Sequence, residues 1–252
     1  MPVLPGAEPF THEGSRTGVL LCHGFTGCPQ SLRPWAEYLA AAGLSVSLPR
    51  LPGHGTTWQE MARTRWEDWY AEVSRNFDEL RARTDEIFIM GLSMGGCLAL
   101  RLAELRDSAI SGLVLVNPSI TADTAMFAFL PVVKLLVPSI KGIASDIKSE
   151  NATELGYKRV PLKAAATLPG LWRITREYLS DVSQPVLVYR STTDHVVGPR
   201  SLRLLREALP AGQLEVRDCA NSYHVATLDN DAQAIFTGSL EFVRSHSRAG
   251  KG

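Results

Sequence analysis

Residues 86–96 read Glu86-Ile87-Phe88-Ile89-Met90-Gly91-Leu92-Ser93-Met94-Gly95-Gly96, and their reading decides the fold. The stretch from Glu86 to Met90 is a short apolar run of the kind that forms a buried strand. From Met94 to Leu105 the pattern becomes helical, opening with small residues and closing with charges. A strand that turns directly into a helix forces the residue at the bend into a strained backbone. Its neighbours must then be small, and glycine stands on both sides of Ser93. The bend lifts the hydroxyl clear of the sheet edge, beside a helix N-terminus that favours developing negative charge. Ser93 is the candidate nucleophile.

A nucleophilic serine needs a base, and the base needs an orienting acid. In strand–serine–helix sites the chain order is Ser, acid, His. Further strands are expected at Gly18–Cys22, Leu44–Leu48, Leu113–Asn117, Val186–Arg190 and Leu214–Arg217. They alternate with helical patterns at Ser31–Ala42, Trp66–Arg83, Met94–Leu105, Ser201–Ala208 and Ala232–Ser245. That alternation predicts a mostly parallel sheet covered by helices on both faces. Asp194 then follows the Val186–Arg190 strand, and His224 follows Leu214–Arg217. Both fall at the C-terminal ends of strands, the edge that also presents Ser93 and where function gathers in open sheets. His23 and His54 precede Ser93 and break the order. His195 adjoins Asp194 and is expected to face the other way, and Asp218 lies too near His224 to be its acid.

The remaining requirement is a pair of backbone N–H groups aimed at the carbonyl oxygen as it becomes charged. The amide of Met94 is one. The other is placed at Phe25, in the loop His23-Gly24-Phe25-Thr26-Gly27, where the glycines let backbone approach substrate closely.

Composition narrows the function classes. Lys plus Arg and Asp plus Glu both number 26 in 252 residues, so no overall field draws in nucleic acid. Cys22, Cys28, Cys97 and Cys219 form no CxxC pair and no zinc spacing, and read as reduced thiols. Phosphate-loop, HExxH and dinucleotide fingerprints are missing, so neither a metal nor an organic cofactor is called for. The opening MPVLPGAEPFTHEG has no basic start and no apolar run, so no export signal is expected and a cytoplasmic location follows. From Pro118 to Gln184 no buried strand is evident. An apolar helix-like piece (Ala125–Val137), a polar piece (Ser145–Tyr157) and an amphipathic piece (Ala164–Leu179) predict an inserted cap over 118–184, with a core of 1–117 and 185–252. The end, Ser245–Gly252, reads as a loose tail.

Five segments carry a resemblance: His23-Gly-Phe-Thr-Gly, Pro49-Arg-Leu-Pro-Gly-His-Gly-Thr-Thr, Gly91-Leu-Ser-Met-Gly-Gly, Asp194-His-Val-Val and Asn221-Ser-Tyr-His-Val-Ala-Thr-Leu-Asp-Asn-Asp. Together they resemble the bacterial monoacylglycerol lipases and their carboxylesterase relatives, members of the α/β-hydrolase superfamily. Ser145-Asp-Ile-Lys and Glu154-Leu-Gly-Tyr are similar to that family's cap. The resemblance implies an α/β-hydrolase fold with a small inserted cap, and cleavage of monoacylglycerols to glycerol and fatty acid through an acyl-enzyme. By position it implies that Glu154 hydrogen-bonds the glycerol hydroxyls and that Ile143 packs beside them. A lipid ester would be the partner, with transient membrane or micelle contact through the apolar cap piece. The alternatives are a general carboxylesterase on short soluble esters and a non-catalytic ligand receptor on the same fold. One departure is Cys28, which replaces a small hydroxyl residue and implies sensitivity to bulky thiol reagents.

Overall fold

The computed structural model describes residues 2–106, 109–122, 126–143 and 145–247. The first half of the chain forms β1 (Phe10–His12), β2 (Thr17–Cys22), α1 (Arg33–Ala41), β3 (Ser45–Leu48), α2 (Trp58–Met61), α3 (Trp66–Arg81), β4 (Glu86–Leu92), α4 (Met94–Leu105) and β5 (Ile110–Val116). There follow α5 (Met126–Leu136), β6 (Ser139–Lys141), β7 (Arg159–Pro161), α6 (Leu162–Ala165) and α7 (Leu168–Glu177). The chain closes with β8 (Val186–Ser191), α8 (Arg200–Ala208), β9 (Leu214–Cys219) and α9 (Ala232–His246).

Seven strands form one sheet in the order β1-β3-β2-β4-β5-β8-β9. All neighbours run parallel except β1, which pairs antiparallel with β3 at the edge. The six expected strands are all present, and β1 is the addition. Its three residues, with polar Thr11 and His12, are too short and too mixed to carry a strand signal of their own.

Period-two alternation sorts the central strands into two cores. Leu20, Ile87, Ile89, Leu113, Leu115, Val186 and Val188 face α3, α4 and α7. Val19, Leu21, Phe88, Met90, Val114, Val116 and Leu187 face α1 and α9. Burying each such side chain contributes about 1.5–3 kcal/mol relative to exposure, which is why the strands read as continuous apolar runs.

Helix ends follow local chemistry. Gly43, with φ +88°, terminates α1 where the sequence expects it. The amides of Gly43 and Leu44 return to the carbonyls of Ala40 and Leu39 at 2.9 and 3.2 Å, satisfying two orphan carbonyls. The expected start at Ser31 differs: Pro29–Leu32 is a 3-10 turn, and the α-helix begins only at Arg33.

Between β5 and β8 the chain leaves the sheet. The expected apolar helix is α5; Ala125 lies outside the described residues. The polar piece has no regular element beyond its flanks, where β6 and β7 form a short antiparallel pair that the sequence reading missed. The amphipathic piece is divided into α6 and α7 at Thr167, ahead of Pro169 at the start of α7. At the far end α9 continues to His246, one residue beyond its expected limit, and 248–252 lie outside the described residues.

Candidate active site

Sheet order turns at β2, with β3 added on one side and β4 on the other. The loops after β2 and β4 therefore diverge from a crevice at the C-terminal edge. Ser93 stands there, between β4 and α4, with φ +56° and ψ −119°. Its amide donates to Val116 O at 2.9 Å, and its carbonyl accepts from Ser119 N at 3.1 Å. Those bonds hold an unfavourable backbone in place. The glycines are steric necessities: a Cβ on Gly95 would strike the Cys22 carbonyl, and one on Gly91 would strike the Gly95 carbonyl.

Asp194 and His224 come together from the loops after β8 and β9. The His224 Nδ1 lies 2.9 Å from Asp194 Oδ2, and the Asp194 side chain is wholly buried. Arg190 Nη1 donates to the same oxygen at 3.0 Å. Oδ1 accepts the amides of Val196 and Val197 at 2.8 and 2.7 Å. Burial acts to raise the Asp194 pKa, but the His224 ring and the two amides outweigh it and hold the carboxyl below its ordinary range. The acid thus stays charged and fixes the His224 tautomer.

Asn117 was not singled out by the sequence. It follows β5 with φ +45°, fully buried. Its Nδ2 donates to Ser191 Oγ at 2.9 Å and to His224 O at 2.8 Å, while its Oδ1 accepts Ser191 N at 2.8 Å. Ser191 Oγ in turn donates to Tyr223 O at 2.7 Å. One side chain therefore ties the loops bearing Asp194 and His224 to the strand beside Ser93. An Asn closing an apolar strand was the available clue, since Asn tolerates the left-handed region.

The rival histidines have other duties. His23 is buried, accepts Leu51 N at 3.2 Å through Nε2, and burial pushes its pKa down to about 4. His54 is buried with its ring 5.0 Å from that of His23, and burial again keeps it neutral. The His195 ring does turn from Asp194, toward Asp146, yet it remains on the rim of the same cavity as Ser93.

The loop after β2 brings Gly24 against Ser93: a Cβ there would sit 3.5 Å from Ser93 Cβ. Among the described residues, the amides of Phe25 and Met94 take no part in the backbone hydrogen bonds of the surrounding loops. Cys28 corrects the expectation of thiol-reagent sensitivity. It is fully buried, its Sγ donates to Leu155 O at 3.2 Å, and burial pushes its pKa up to about 11.

Ser93 and His224 line a cavity of about 320 Å³ together with Phe25, Ile143 and Glu154. Its apolar wall comes from Ile140, Val160, Ala165 and Leu168. A second compartment of about 140 Å³ is also lined by Ser93, together with Met94, Ser119, Thr121 and Trp172. Glu154 lies against the loop after β2, where a Cβ on Gly27 would approach its Oε1 to 2.6 Å. Burial raises the Glu154 pKa, opposed by nearby His224 and the Ser145 amide. The carboxylate therefore takes its proton more readily than a surface glutamate.

The polar piece is stitched to the core on both flanks of this cavity. On one flank Gln30 brackets it, with Nε2 on Thr153 O at 3.0 Å and Oε1 on Leu155 N at 2.9 Å, while Tyr157 donates to Gly53 O at 2.7 Å. On the other, Asp229 accepts Lys148 N and Ser149 N at 2.7 and 3.0 Å, and also Tyr223 N beside the base. By contrast α5 leaves Val132, Leu135 and Leu136 largely in solvent.

Comparison with known proteins agrees with this geometry. Residues 14–231 match the sequence profile of the family described as serine aminopeptidase, S33 (Hydrolase_4). The chain is 42% identical over 251 residues to a thermostable monoacylglycerol lipase from Bacillus sp. (strain H-257), covering 98% of each chain. It is 26% identical to a carboxylesterase from Bacillus subtilis (strain 168), over 94% of this chain and 96% of that one. Among solved structures, one from the metagenome-derived lipolytic enzymes LipS and LipT superposes with a TM-score of 0.94 at 41% identity, covering 97% of this chain and all of the other. These matches establish the α/β-hydrolase fold.

Proposed function

On the premise that the chain belongs to the serine aminopeptidase S33 (Hydrolase_4) family of serine hydrolases, we propose that it hydrolyses monoacylglycerols to glycerol and free fatty acid. The observation that carries the substrate class is a half-buried carboxylate, Glu154, lining with Ile143 the cavity that holds Ser93 and His224. A carboxylate acceptor in a pocket that also has an apolar wall of Ile140, Val160, Ala165 and Leu168 suits an ester whose alcohol keeps free hydroxyls and whose acyl chain is greasy. The relative that is 42% identical along its whole length is named for the same reaction.

In this reading Ser93 attacks the ester carbonyl while His224 takes its proton and Asp194 steadies the imidazolium. The amides of Phe25 and Met94 hold the oxyanion. His224 then protonates the departing glycerol, and water repeats the sequence on the acyl-enzyme. Among the described residues the Ser93 hydroxyl makes no hydrogen bond, and substrate binding is what brings it onto His224. Residues 118–184 serve as the cap: Glu154 and Ile143 receive the glycerol, and Ile140, Val160, Ala165 and Leu168 receive the chain. The exposed face of α5, where Leu135 and Leu136 are 77% and 79% exposed, touches the lipid surface from which substrate is drawn. No helix among the described residues is long and apolar enough to cross a membrane, so this contact is peripheral.

The second reading, a carboxylesterase for short soluble esters, is favoured by the full-length likeness to the Bacillus subtilis carboxylesterase. The two part on one measurement, kcat/KM for a medium-chain monoacylglycerol against the methyl ester of the same acid. Preference for the monoacylglycerol, reduced in Glu154→Ala, supports the lipase reading. Equal rates on both esters overturn it and leave the carboxylesterase.

A further inference from the structure

Beside the Asp194–His224 pair stands a second Asp–His pair. Asp146, in the segment between β5 and β8, receives His195 twice: the ring Nδ1 lies 2.8 Å from Oδ1, and the backbone N lies 3.3 Å from Oδ2. The same Oδ2 accepts the backbone N–H of His224 at 3.2 Å. The carboxylate is nearly buried while the imidazole is half exposed. A carboxylate on Nδ1 keeps the proton on that nitrogen and leaves Nε2 as the open one. Tyr223 packs on the imidazole edge-on, with centroids 4.7 Å apart and planes at 79°, which fixes the direction of the ring. Among the described residues no hydrogen bond engages Nε2, and His195 lines the cavity together with Ile143 and Glu154.

A fastening between this segment and the core does not need that arrangement. Asp229 already supplies one through the main-chain amides of Lys148 and Ser149, with no imidazole involved. What the Asp146–His195 pair adds is an oriented acceptor on a residue that lines the cavity. A monoacylglycerol carries two free hydroxyls, and this cavity then offers two acceptors of different kinds, the Glu154 carboxylate and the His195 Nε2.

We propose that His195 determines alcohol specificity by accepting a hydrogen bond from one free hydroxyl of the leaving glycerol, with Asp146 as its positioning residue. This rests on the reading that the cavity receives glycerol. The test compares kcat/KM on a medium-chain monoacylglycerol with kcat/KM on the methyl ester of the same acid, for wild type, His195→Phe and His195→Gln. Loss of one hydrogen bond predicts that the ratio falls about tenfold in His195→Phe. Gln, which restores a side-chain acceptor, should recover most of that loss. A pair that only fastened the segment would lower both rates together, and an unchanged ratio in His195→Phe overturns the proposal. Should wild type itself lack any preference, the glycerol reading fails first. Should wild type and Glu154→Ala behave as glycerol recognition requires while His195→Phe keeps the ratio, this inference alone fails.

Discussion

The side-chain amide of Asn117 donates to the main-chain carbonyl of His224 at 2.8 Å, so the end of the strand next to the one that leads into Ser93 holds the loop that carries His224. Asn117→Ala would leave the Ser191 amide and the His224 carbonyl buried without this partner. The expected cost is about 2–4 kcal/mol of stability, read by chemical unfolding. Displacement of the His224 loop should also lower kcat by up to about 100-fold at temperatures where the variant stays folded. Ordinary kcat in a folded variant would show that the loop holds its place without Asn117.

Asp194→Asn preserves shape but removes the charge that fixes the His224 tautomer. A fall in kcat of roughly 10,000-fold is expected, with little change in KM. Ser93→Ala should abolish turnover while thermal unfolding stays near that of wild type, because Ala keeps the same side-chain footprint at the strained bend. Retained turnover in either variant would reassign the triad.

Glu154 connects pH to substrate choice. As a carboxylate it accepts hydroxyls; once protonated it does so less well. Because burial raises its pKa, preference for the monoacylglycerol over the methyl ester should decline on acidification sooner than a surface glutamate would allow. Glu154→Gln should flatten the pH dependence of that ratio. The ratio, rather than either rate, is the readout, since titration of the triad affects both substrates.

Glu104 offers a stability test away from the site. Burial pushes its pKa up to about 7, against the pull of Arg101 at 2.8 Å, and its buried Oε1 has no hydrogen-bond partner among the described residues. Between the ordinary value of 4.5 and about 7, the folded state binds more protons here than the unfolded one. Its contribution to stability is therefore most favourable below that window and declines as pH rises through it. The difference in Tm between Glu104→Gln and wild type should move in favour of the variant from about pH 5 to about pH 8. A constant difference would mean that Glu104 is ionised throughout.

Local chemistry made much of this protein legible before folding was considered. The apolar runs, the glycines around Ser93 and the helix stop at Gly43 are short-range signals, and β2 to β5, β8 and β9 fall where those signals put them. The order Ser93, Asp194, His224 along the chain was readable because each residue follows a strand that ends at one sheet edge. The short strands β1, β6 and β7 were not readable, since their pairing partners rather than their own residues make them strands.

What only the tertiary structure decided is which polar side chains meet. Asn117, Asp146 and Asp229 carry no signal of their own in sequence, yet with His195 they bind segments that are between 49 and 107 residues apart. Hydrogen bonds across such separations depend on where three strand ends and one inserted segment come to rest. That placement is set by the packing of helices on both faces of the sheet, a sum over the whole chain that no single window contains.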